Sequence, residues 1–315
     1  MLDLEKLSVS VVIPTKNSEQ VILDCLSSLF NQSKKPLEVI VVDGRSTDNT
    51  LTLARRYPVK VIVEQEPTSL PNARNLGIEN AEGEIIFIVD SDIVVDRDCI
   101  KNAIKWFENP EVIAVIPTEH NIAHSRLEKI QAKWLIGTNS SFRGGIGISA
   151  FAEFFRNTIF ERMKFDPTLG LWEDDDFQRR LEKNFHDSGK IVFSNDSNVY
   201  VHHPQTLKEL KAQYTWYGRT AKAYLSKGPS MRTILNLASL LFPMFILILS
   251  ALAIFFTPTI YISLSVLAVL VARDFVACYR SKSVYFFDFL AFEFVRSLFF
   301  TFGIIQGFFS KKRGK

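Results

Sequence analysis

The most constraining stretch of the sequence is an apolar run, Ile85–Val89, that ends at two carboxylates, Asp90 and Asp92. The run is continuously apolar, which is typical of a central strand in a parallel sheet whose two faces are both covered. Ligands of such sheets bind at the carboxyl ends of the strands. Because side chains two residues apart in an extended chain point the same way, the pair is predicted to bind one hard cation, with a solvated turn as the alternative.

Three further strands precede this one and alternate with helices. Each strand is a short apolar run followed by a polar loop and a segment with helical periodicity. The predicted strands are Ser8–Ile13, Leu37–Val42 and Val59–Val63, and the predicted helices are Val21–Phe30, a helix through Arg55, and Asn72–Glu79. Such βαβ units form an α/β fold with a mainly parallel sheet and flanking helices. The carboxyl ends of the strands therefore gather Thr15, Asp43, the loop leading to Arg74 and the acidic pair at one edge.

The groups at this edge suit a ligand that combines a hydrogen-bonding ring or sugar with a diphosphate. Asp43 can accept hydrogen bonds from a ring N–H or from sugar hydroxyls, while a divalent cation on Asp90 and Asp92 would neutralise phosphate oxygens. Mg²⁺ typically binds through one or two carboxylates plus substrate phosphates. The chain has neither the glycine motif of dinucleotide-binding proteins after its first strand nor a P-loop, which argues against both of those classes.

Four blocks of sequence, in this order, resemble the family 2 glycosyltransferases, which have the GT-A fold. The blocks are Val12–Asn17, Val41–Asp48, Ala73–Gly77 and Val89–Asp92. The resemblance implies that Asp43 contacts the nucleotide, that Arg74 lies near the diphosphate, and that the acidic pair binds the nucleotide-sugar with Mg²⁺ or Mn²⁺. The donor-binding residues that it implies are Pro14, Thr15, Asn17, Asp43, Arg74, Asp90 and Ser91, with Asp92 and Asp90 as metal ligands.

Two positions depart from that family pattern. Many members carry a second acid directly after the residue matching Asp43, where this chain has Gly44. Many also carry an aromatic residue before the one matching Asn17, where this chain has Lys16. The resemblance therefore assigns neither the nucleotide base nor the sugar.

A second acidic block, Glu173–Asp176, follows Trp172 at the predicted start of a helix. Helix capping and the helix dipole account for one or two of these acids, since both favour negative charge in the first turn. Four neighbouring acids also repel one another and raise one another's pKa. A carboxylate with a raised pKa is suited to act as a general base near neutral pH.

The same block resembles the acidic motif of that family, E-D-x-D followed by an apolar residue and a later Arg-Leu. The match implies that Asp174 is the catalytic base, with Asp175 as the alternative. Glu173 and Asp176 would hold either the acceptor or the helix. Trp172 would stack against a sugar ring in the acceptor site or, alternatively, pack in the core.

Two adjacent histidines, His202 and His203, follow a later predicted strand. Side chains of neighbouring residues in a strand face opposite sides, so at most one of the two easily reaches a metal. Similarity to relatives with a histidine after this strand favours His202 as a metal ligand. A surface histidine pair is the alternative.

The C-terminal part of the chain is predicted to be a membrane domain, because no residue from Thr233 to Ala272 is charged. The run 234–256 is long enough to cross a bilayer as a helix, and a break around Pro258 separates it from a second span at 260–278. The segment 284–309 contains charged residues, and either spans or lies at the membrane interface. We therefore predict a GT-A catalytic domain over residues 1–228 and a membrane domain over residues 229–315.

The charge pattern bears on partners and location. A net charge of +3 is too small to indicate a nucleic-acid partner. Basic residues ahead of the apolar tail suit an anionic membrane surface, with a solvated helix face as the alternative. The segment 1–7 ahead of the first strand is short and charged, so no signal peptide is predicted there. The expected location is the cell membrane, with the catalytic domain on the cytoplasmic side.

The function predicted from these observations is an inverting, metal-dependent glycosyltransferase. It would move a sugar from a nucleotide-sugar to an acceptor hydroxyl, on a lipid-linked glycan or another membrane-associated saccharide. A polyprenyl (dolichyl) phosphate sugar synthase is the alternative enzyme, although its anionic acceptor needs no base and the acidic block argues against it. The alternative from another class is a catalytically silent, membrane-anchored subunit that binds nucleotide-sugars.

Overall fold

The structure is a computed structural model that describes residues 7–66, 69–137, 151–170, 172–186, 189–226, 231–252, 257–282 and 286–309. The chain divides into two compact units. The first unit consists of residues 1–122 and 150–202, and the second of residues 123–149 and 203–315. The first unit carries the sheet, and the described part of the second unit is helical.

The first unit is built on a sheet that has eight strands within the described residues. They are β1 (Val9–Thr15), β2 (Glu38–Asp43), β3 (Lys60–Val63), β4 (Ile85–Val89), β5 (Ile93–Val95), β6 (Val112–Asn121), β7 (Ala152–Arg156) and β8 (Lys190–Val201). Their order across the sheet is β3-β2-β1-β4-β7-β6-β8-β5. The neighbours β3, β2, β1 and β4 are parallel, and β7 is antiparallel to both β4 and β6. The predicted α/β fold with a mainly parallel sheet is confirmed.

Helices cover both faces of the parallel strands β1, β2 and β4. The α-helices of the first unit are α1 (Ile22–Phe30), α2 (Thr50–Ala54), α3 (Leu70–Glu79), α4 (Cys99–Trp106) and α6 (Glu173–Phe185), and a 3₁₀ helix lies at Asn157–Glu161. Strand β4 shows why its sequence is apolar throughout. Ile85, Phe87 and Val89 pack in one buried cluster, whereas Ile86 and Ile88 pack in another. A strand buried on both faces has no solvent side on which polar residues would alternate.

Helix α3 lies close to β1 because Gly77 has no side chain. A Cβ atom at this position would lie 2.3 Å from Cγ1 of Val12, far inside van der Waals contact. Arg74 precedes Gly77 by about one helical turn, so it lies on nearly the same face of α3. The close approach therefore directs the side chain of Arg74 into the interior, where it is 1% exposed.

The second unit contains α5 (Arg126–Gly137), α7 (Leu207–Leu225), α8 (Met231–Leu252), α9 (Thr257–Arg280) and α10 (Phe286–Phe309). Its extent differs from the predicted boundary at residue 228, because α5 and α7 belong to the helical unit. Helix α7 buries one side of its surface, including Leu210, Tyr214 and Tyr217. The sequence of an amphipathic helix looks the same in any folded domain, so composition alone does not show to which unit the helix belongs.

Helices α7 and α10 touch backbone to backbone. A Cβ atom at Gly218 would lie 2.1 Å from the carbonyl oxygen of Phe300, and one at Gly303 would lie 2.2 Å from that of Thr215. No other residue fits at either position without moving a helix. The second unit is therefore built around a contact that only glycine permits.

The predicted membrane-spanning helices are not supported. Among the residues that the structure describes, no helix is both long and apolar enough to cross a membrane. The predicted first span, 234–256, ends with four residues that lie outside the described ones, and residues 284 and 285 of the third segment lie outside them as well. Arg273 and Asp274 interrupt α9, and Glu293 and Arg296 interrupt α10.

These four charged residues form one cluster. Arg273 pairs with Asp274 at 2.9 Å and also with Glu293. Glu293 pairs in turn with Arg296, whose guanidinium carbon lies 4.2 Å from the ring centroid of Trp134 on α5. Two cations and two anions meet here, so the cluster is balanced in formal charge. It links α9 to α10 through charge-assisted hydrogen bonds, and α10 to α5 through the cation–π contact with Trp134.

Candidate active site

The loops that follow β1, β2 and β4 are joined by hydrogen bonds. The backbone N–H of Asn17 donates to Oγ of Ser46 at 2.8 Å, and Oδ1 of Asn17 accepts from the N–H of Thr47 at 2.8 Å. Oγ of Ser18 and Oγ of Ser91 share a hydrogen bond of 2.8 Å. The carboxyl ends of three parallel strands therefore form one connected edge, as the sequence predicts.

Asp43 ends β2 and is fully buried. Its Oδ1 accepts from the hydroxyl of Ser46 at 2.5 Å, and its Oδ2 accepts from the N–H of Ser46 at 3.0 Å. Thr15, its register partner on β1, is also buried, and the Thr15 hydroxyl has no hydrogen-bond partner among the described residues. Asp43 thus orders the loop after β2, and its contact with a nucleotide stays a prediction, as do those of Thr15 and Pro14.

The two acids after β4 have different surroundings. Oδ1 of Asp90 pairs with Nη2 of Arg74 at 2.9 Å, and Oδ2 of Asp90 accepts from the N–H of Phe151 at 3.0 Å. Oδ1 of Asp92, by contrast, is buried and has no hydrogen-bond partner in the described part of the chain. Burial, together with the neighbouring charge of Asp90, raises the pKa of Asp92 to about 7. Asp90 is therefore held by protein groups, while Asp92 keeps an oxygen for a ligand.

His202 lies beside Asp92, and its backbone N–H donates to the Asp92 carbonyl oxygen at 2.9 Å. Nε2 of its ring is 3.4 Å from Oδ2 of Asp24, and neither ring nitrogen is hydrogen-bonded within the described residues. In the same part of the chain, no group of three or more His, Cys, Asp or Glu side chains is arranged to hold a metal ion. The predicted set of Asp90, Asp92 and His202 is thus not assembled as a three-ligand site.

The donors that are present nevertheless fit a hard divalent cation. A buried carboxylate oxygen of Asp92 lacks a partner, and imidazole nitrogens lie nearby. Mg²⁺ needs only one or two protein carboxylates when substrate phosphates and water complete its shell. The residues therefore suit a cation that is bound together with a phosphate ligand.

Arg74 joins three elements of the first unit. Its Nη1 pairs with Oε1 of Glu173 on α6 at 2.6 Å, and its Nη2 pairs with Asp90 after β4. Its guanidinium carbon lies 4.3 Å from the ring centroid of Phe151 and 5.4 Å from that of Phe165. The guanidinium is enclosed by protein groups, and the predicted contact with a diphosphate stays a prediction.

Three of the four acids at the start of α6 form ion pairs. The pairs are Glu173 with Arg74, Asp175 with Arg179 at 3.2 Å, and Asp176 with Arg180 at 2.7 Å. Asp174 instead accepts the backbone N–H of Asp175 at 2.8 Å. Burial raises the pKa of Asp174, and the nearby carboxylates of Asp175 and Asp90 raise it further. Within the described residues, Asp174 is the one acid of this block without an ion pair.

The other predicted residues of the acceptor site lie around the start of α6. Trp172 is 6% exposed and has a left-handed backbone with φ of 60°, at the turn where the helix begins. The burial fits the alternative of a core tryptophan. Asp176 pairs with arginines one turn along the same helix, which fits the alternative that it holds the helix.

Glu153 is a further acid of this region that the sequence did not single out. It lies on β7, is buried, and accepts a hydrogen bond from Nε2 of Gln178. Burial raises its pKa to about 8, and the charge of Asp174 adds to the effect. The available signal was a single acid within an otherwise apolar strand, which is rarely placed in a core without a partner.

Comparisons with known proteins identify the kind of domain to which this fold belongs. The model of the family described as "Glycosyl transferase family 2" matches residues 10–168. A "Dolichyl N-acetyl-alpha-D-glucosaminyl phosphate 3-beta-D-2,3-diacetamido-2,3-dideoxy-beta-D-glucuronosyltransferase" from Methanococcus voltae is 28% identical over 246 residues, which cover 70% of this chain and 74% of the relative. The "Glycosyltransferase GlyA" of Streptococcus pneumoniae serotype 4 is 24% identical over 209 residues, which cover 60% of this chain but only 30% of GlyA.

A solved structure shares the fold. The mannosyltransferase PcManGT from Pyrobaculum calidifontis, solved in complex with GDP-Man and Mn²⁺, superposes with a TM-score of 0.56 at 19% sequence identity. The match covers 96% of this chain and 88% of that one. The predicted GT-A-like α/β fold is thereby confirmed.

Proposed function

Since this chain belongs to glycosyl transferase family 2, we propose that the nucleotide-sugar-dependent enzyme transfers its sugar to an acceptor hydroxyl with inversion at the anomeric carbon. The observation that carries this proposal is Asp174, a half-buried carboxylate at the start of α6 that forms no ion pair within the described residues and whose pKa is raised. Such a group can take a proton near neutral pH. The competing candidate, Asp175, is paired with Arg179.

The reaction follows from these groups. Asp174 accepts the proton of the acceptor hydroxyl as its oxygen attacks the anomeric carbon. The bond between that carbon and the diphosphate oxygen breaks on the opposite face, and the nucleoside diphosphate leaves with the bonding electrons. Glu173 and Asp176 keep the first turn of α6 in place during this step, and Trp172 closes the site from the core side. A single displacement of this kind inverts the anomeric configuration.

The donor binds, in this proposal, along the connected edge formed by the loops after β1, β2 and β4. Its ring or ribose reaches Asp43, which has acceptor capacity beyond the two bonds from Ser46 because each carboxylate oxygen accepts more than one hydrogen bond. The remaining donor-binding residues are Pro14, Thr15, Asn17, Ser91 and Asp90. The unpaired hydroxyl of Thr15 supports this assignment, because a buried hydroxyl without a partner is costly unless a ligand satisfies it.

Asp92 would hold a divalent cation, with Asp90 and His202 beside it. Bound there with the donor, Mg²⁺ or Mn²⁺ would supply positive charge against the diphosphate of the leaving group. The Mn²⁺ in the complex of the structurally similar PcManGT supports this choice of ion. The protein's own part is to present one buried, unpaired carboxylate oxygen toward the diphosphate.

The acceptor is, in this proposal, a lipid-linked or other membrane-associated saccharide, and the enzyme works at the cytoplasmic face of the cell membrane. The support is the exposed apolar surface of α8, α9 and α10, which water solvates poorly. Large exposed side chains on it include Phe245, Leu247, Ile248, Leu264, Val269, Phe275, Tyr279, Phe287, Phe302 and Phe309. The name of the relative from Methanococcus voltae, which refers to a dolichyl phosphate-linked sugar, fits the same class of acceptor.

The alternatives from the sequence are less well supported. A polyprenyl phosphate acceptor is already an anion and needs no base, so it leaves the raised pKa of Asp174 without a use. A catalytically silent binding subunit does not fit a family of enzymes.

A direct test combines donor binding with transfer. The full chain, purified in detergent, is screened with UDP- and GDP-sugars for thermal stabilisation in the presence of Mg²⁺ or Mn²⁺. A donor that stabilises the protein is then supplied with membrane lipid extracts, and transfer of labelled sugar into the lipid fraction is measured. We expect the donor to stabilise the protein only when the metal is present, and we expect label in the lipid fraction. The anomeric configuration of the transferred sugar should be the opposite of that in the donor. Retention of configuration would refute the proposed mechanism.

A further inference from the structure

Arg74 is a deeply enclosed cation near the proposed site. It is 1% exposed, yet it carries a positive charge in an apolar interior. An arginine is placed there only if its N–H donors are satisfied by good partners. Its two terminal nitrogens are satisfied by Glu173 at 2.6 Å and Asp90 at 2.9 Å.

The surroundings of Arg74 fix the plane of its guanidinium. Phe151 lies under it at 4.3 Å, and Phe165 lies at 5.4 Å. The N–H of Phe151 also donates to the second carboxylate oxygen of Asp90. Both oxygens of Asp90 and both terminal nitrogens of Arg74 are therefore held by protein atoms. A planar fork held in this way sets the distance and angle between its two partners, which a flexible ammonium does not.

The two partners of Arg74 belong to different parts of the proposed site, Asp90 to the donor side and Glu173 to the acceptor side. Asp90 is two residues from Asp92, the carboxylate assigned to the metal and the donor. Glu173 is the first residue of α6 and directly precedes Asp174, the assigned base. Trp172, with its left-handed φ of 60°, fixes the turn into this helix. A shift of Glu173 relative to Asp90 would therefore carry Asp174 away from the donor.

We infer that Arg74 is a positioning residue that sets the base Asp174 relative to the donor carboxylates, and that it acts through Glu173 and Asp90 rather than by binding the diphosphate. The inference deepens the proposed function and rests on it. A diphosphate-binding arginine directs its terminal N–H groups toward the ligand, whereas those of Arg74 are taken up by two carboxylates. The Arg74 side chain is only 1% exposed, and its Nε is buried and has no hydrogen-bond partner among the described residues.

The test compares Arg74→Lys and Arg74→Met with the wild type, using calorimetry for the donor Kd and steady-state kinetics for kcat and KM. For Arg74→Met we expect kcat to fall by roughly 10²-fold, the cost of misplacing reacting groups by about 1 Å, while the donor Kd changes by less than about tenfold. Arg74→Lys separates the two roles, because lysine binds phosphate well as a point charge but cannot form the two-sided fork. We expect lysine to leave kcat low.

A double variant guards against misfolding. Arg74→Met leaves Glu173 as a buried charge without its ion-pair partner, and Glu173→Gln removes that charge. The double variant Arg74→Met with Glu173→Gln is therefore expected to fold, with the circular dichroism spectrum of the wild type. This double variant is expected to bind the donor but to keep the low kcat. Arg179→Met, which removes an exposed arginine of α6 that is not part of this fork, is the matched control and is expected to keep the wild-type kcat.

Two results would overturn the positioning role. One is a donor Kd that weakens by more than about tenfold in Arg74→Met and recovers in Arg74→Lys together with kcat, which is the behaviour of a phosphate ligand. The other is an unchanged kcat in the folded double variant. A wild-type enzyme that transfers no sugar from any donor would instead refute the proposed function, and the positioning role with it.

Discussion

Both units of the protein bury a cluster of charges, and the two clusters differ in their balance. In the second unit, Arg273 and Arg296 face Asp274 and Glu293, two cations against two anions. In the first unit, one cation, Arg74, faces the carboxylates of Asp90 and Glu173. The charge of Asp90 also raises the pKa of Asp92 and of Asp174, and the charge of Asp174 raises that of Glu153.

The difference separates a structural cluster from a functional one. Buried charges are costly unless they are paired, so a balanced cluster is complete as it stands. An excess of acids is incomplete without added positive charge, which a proton or a bound cation provides. Burial is the main cause of the raised pKa of about 7 at Asp92, and the neighbouring charge of Asp90 adds to it. An acid-rich buried cluster at a sheet edge is therefore the better guide to a site.

The largest expected effect is the loss of turnover when Asp174 is replaced. Asp174→Asn removes the base, and we expect kcat to fall by about 10²–10⁴-fold. Donor binding should persist, because Asp174 is assigned to the acceptor side. Transfer of labelled sugar and calorimetry of donor binding measure the two quantities.

The matched control is Asp175→Asn, the neighbour that pairs with Arg179. It should retain most of the activity. The assignment of the base would be reversed by an inactive Asp175→Asn enzyme beside an active Asp174→Asn one.

The next effect concerns the balanced cluster. Arg296→Met leaves Glu293 as a buried anion with one partner fewer, and we expect the free energy of unfolding to drop by about 3–5 kcal/mol. Chemical denaturation of the purified protein measures it. The kcat of the folded fraction should not change, since no group of the proposed reaction lies in this cluster.

An exposed pair in the same unit provides the control. Arg126 is largely exposed where it meets Asp288 at 2.9 Å, so Arg126→Met is expected to cost less than about 1 kcal/mol. Equal destabilisation by the two variants would contradict the distinction between buried and exposed charges.

A smaller effect is a pH dependence of donor binding. The pKa of Asp92 is raised to about 7, so its carboxyl is protonated below that pH and ionised above it. A cation binds the ionised form, and metal-dependent donor affinity should therefore weaken by up to about tenfold per pH unit below 7. Calorimetry between about pH 5.5 and 8, with Mn²⁺ or with EDTA, measures this dependence.

Asp92→Asn tests the assignment of that titration. The variant should bind the donor equally with Mn²⁺ and with EDTA, and its affinity should lose the dependence on pH near 7. An unchanged response to Mn²⁺ in Asp92→Asn would show that the cation binds elsewhere.

The smallest effect is expected at Asp176. Its partners Arg179 and Arg180 lie on the same helix, and such pairs contribute about 0.3–0.5 kcal/mol. Asp176→Ala should therefore lower stability slightly and leave the KM for the acceptor unchanged. A large rise in that KM would instead support the alternative that Asp176 holds the acceptor.

The sequence was sufficient for the parts of the fold that local pattern determines. The apolar run Ile85–Val89 and its three companions predicted the parallel strands, because β1, β2 and β4 are buried on both faces and show no alternation. The acids at the strand ends and at the start of α6 were also found, because their spacing is visible along the chain.

Contacts between distant residues were not predictable in this way. The partner of Arg74 on α6 is 99 residues away in sequence, so nothing local indicates that this arginine is enclosed. Glu153 was overlooked for the same reason, since its partner Gln178 lies on a different element. The uncharged stretch after Thr233 predicts membrane-spanning helices by its composition, whereas no helix among the described residues is long and apolar enough to cross a membrane.

The glycine contact between α7 and α10 limits how the second unit can move. Helices separated by a layer of side chains slide past one another by changing rotamers, whereas Gly218 and Gly303 leave no such layer. The two helices are thus expected to move together as one rigid body at that contact. Any flexing within the second unit is then expected at its other helix contacts rather than between α7 and α10.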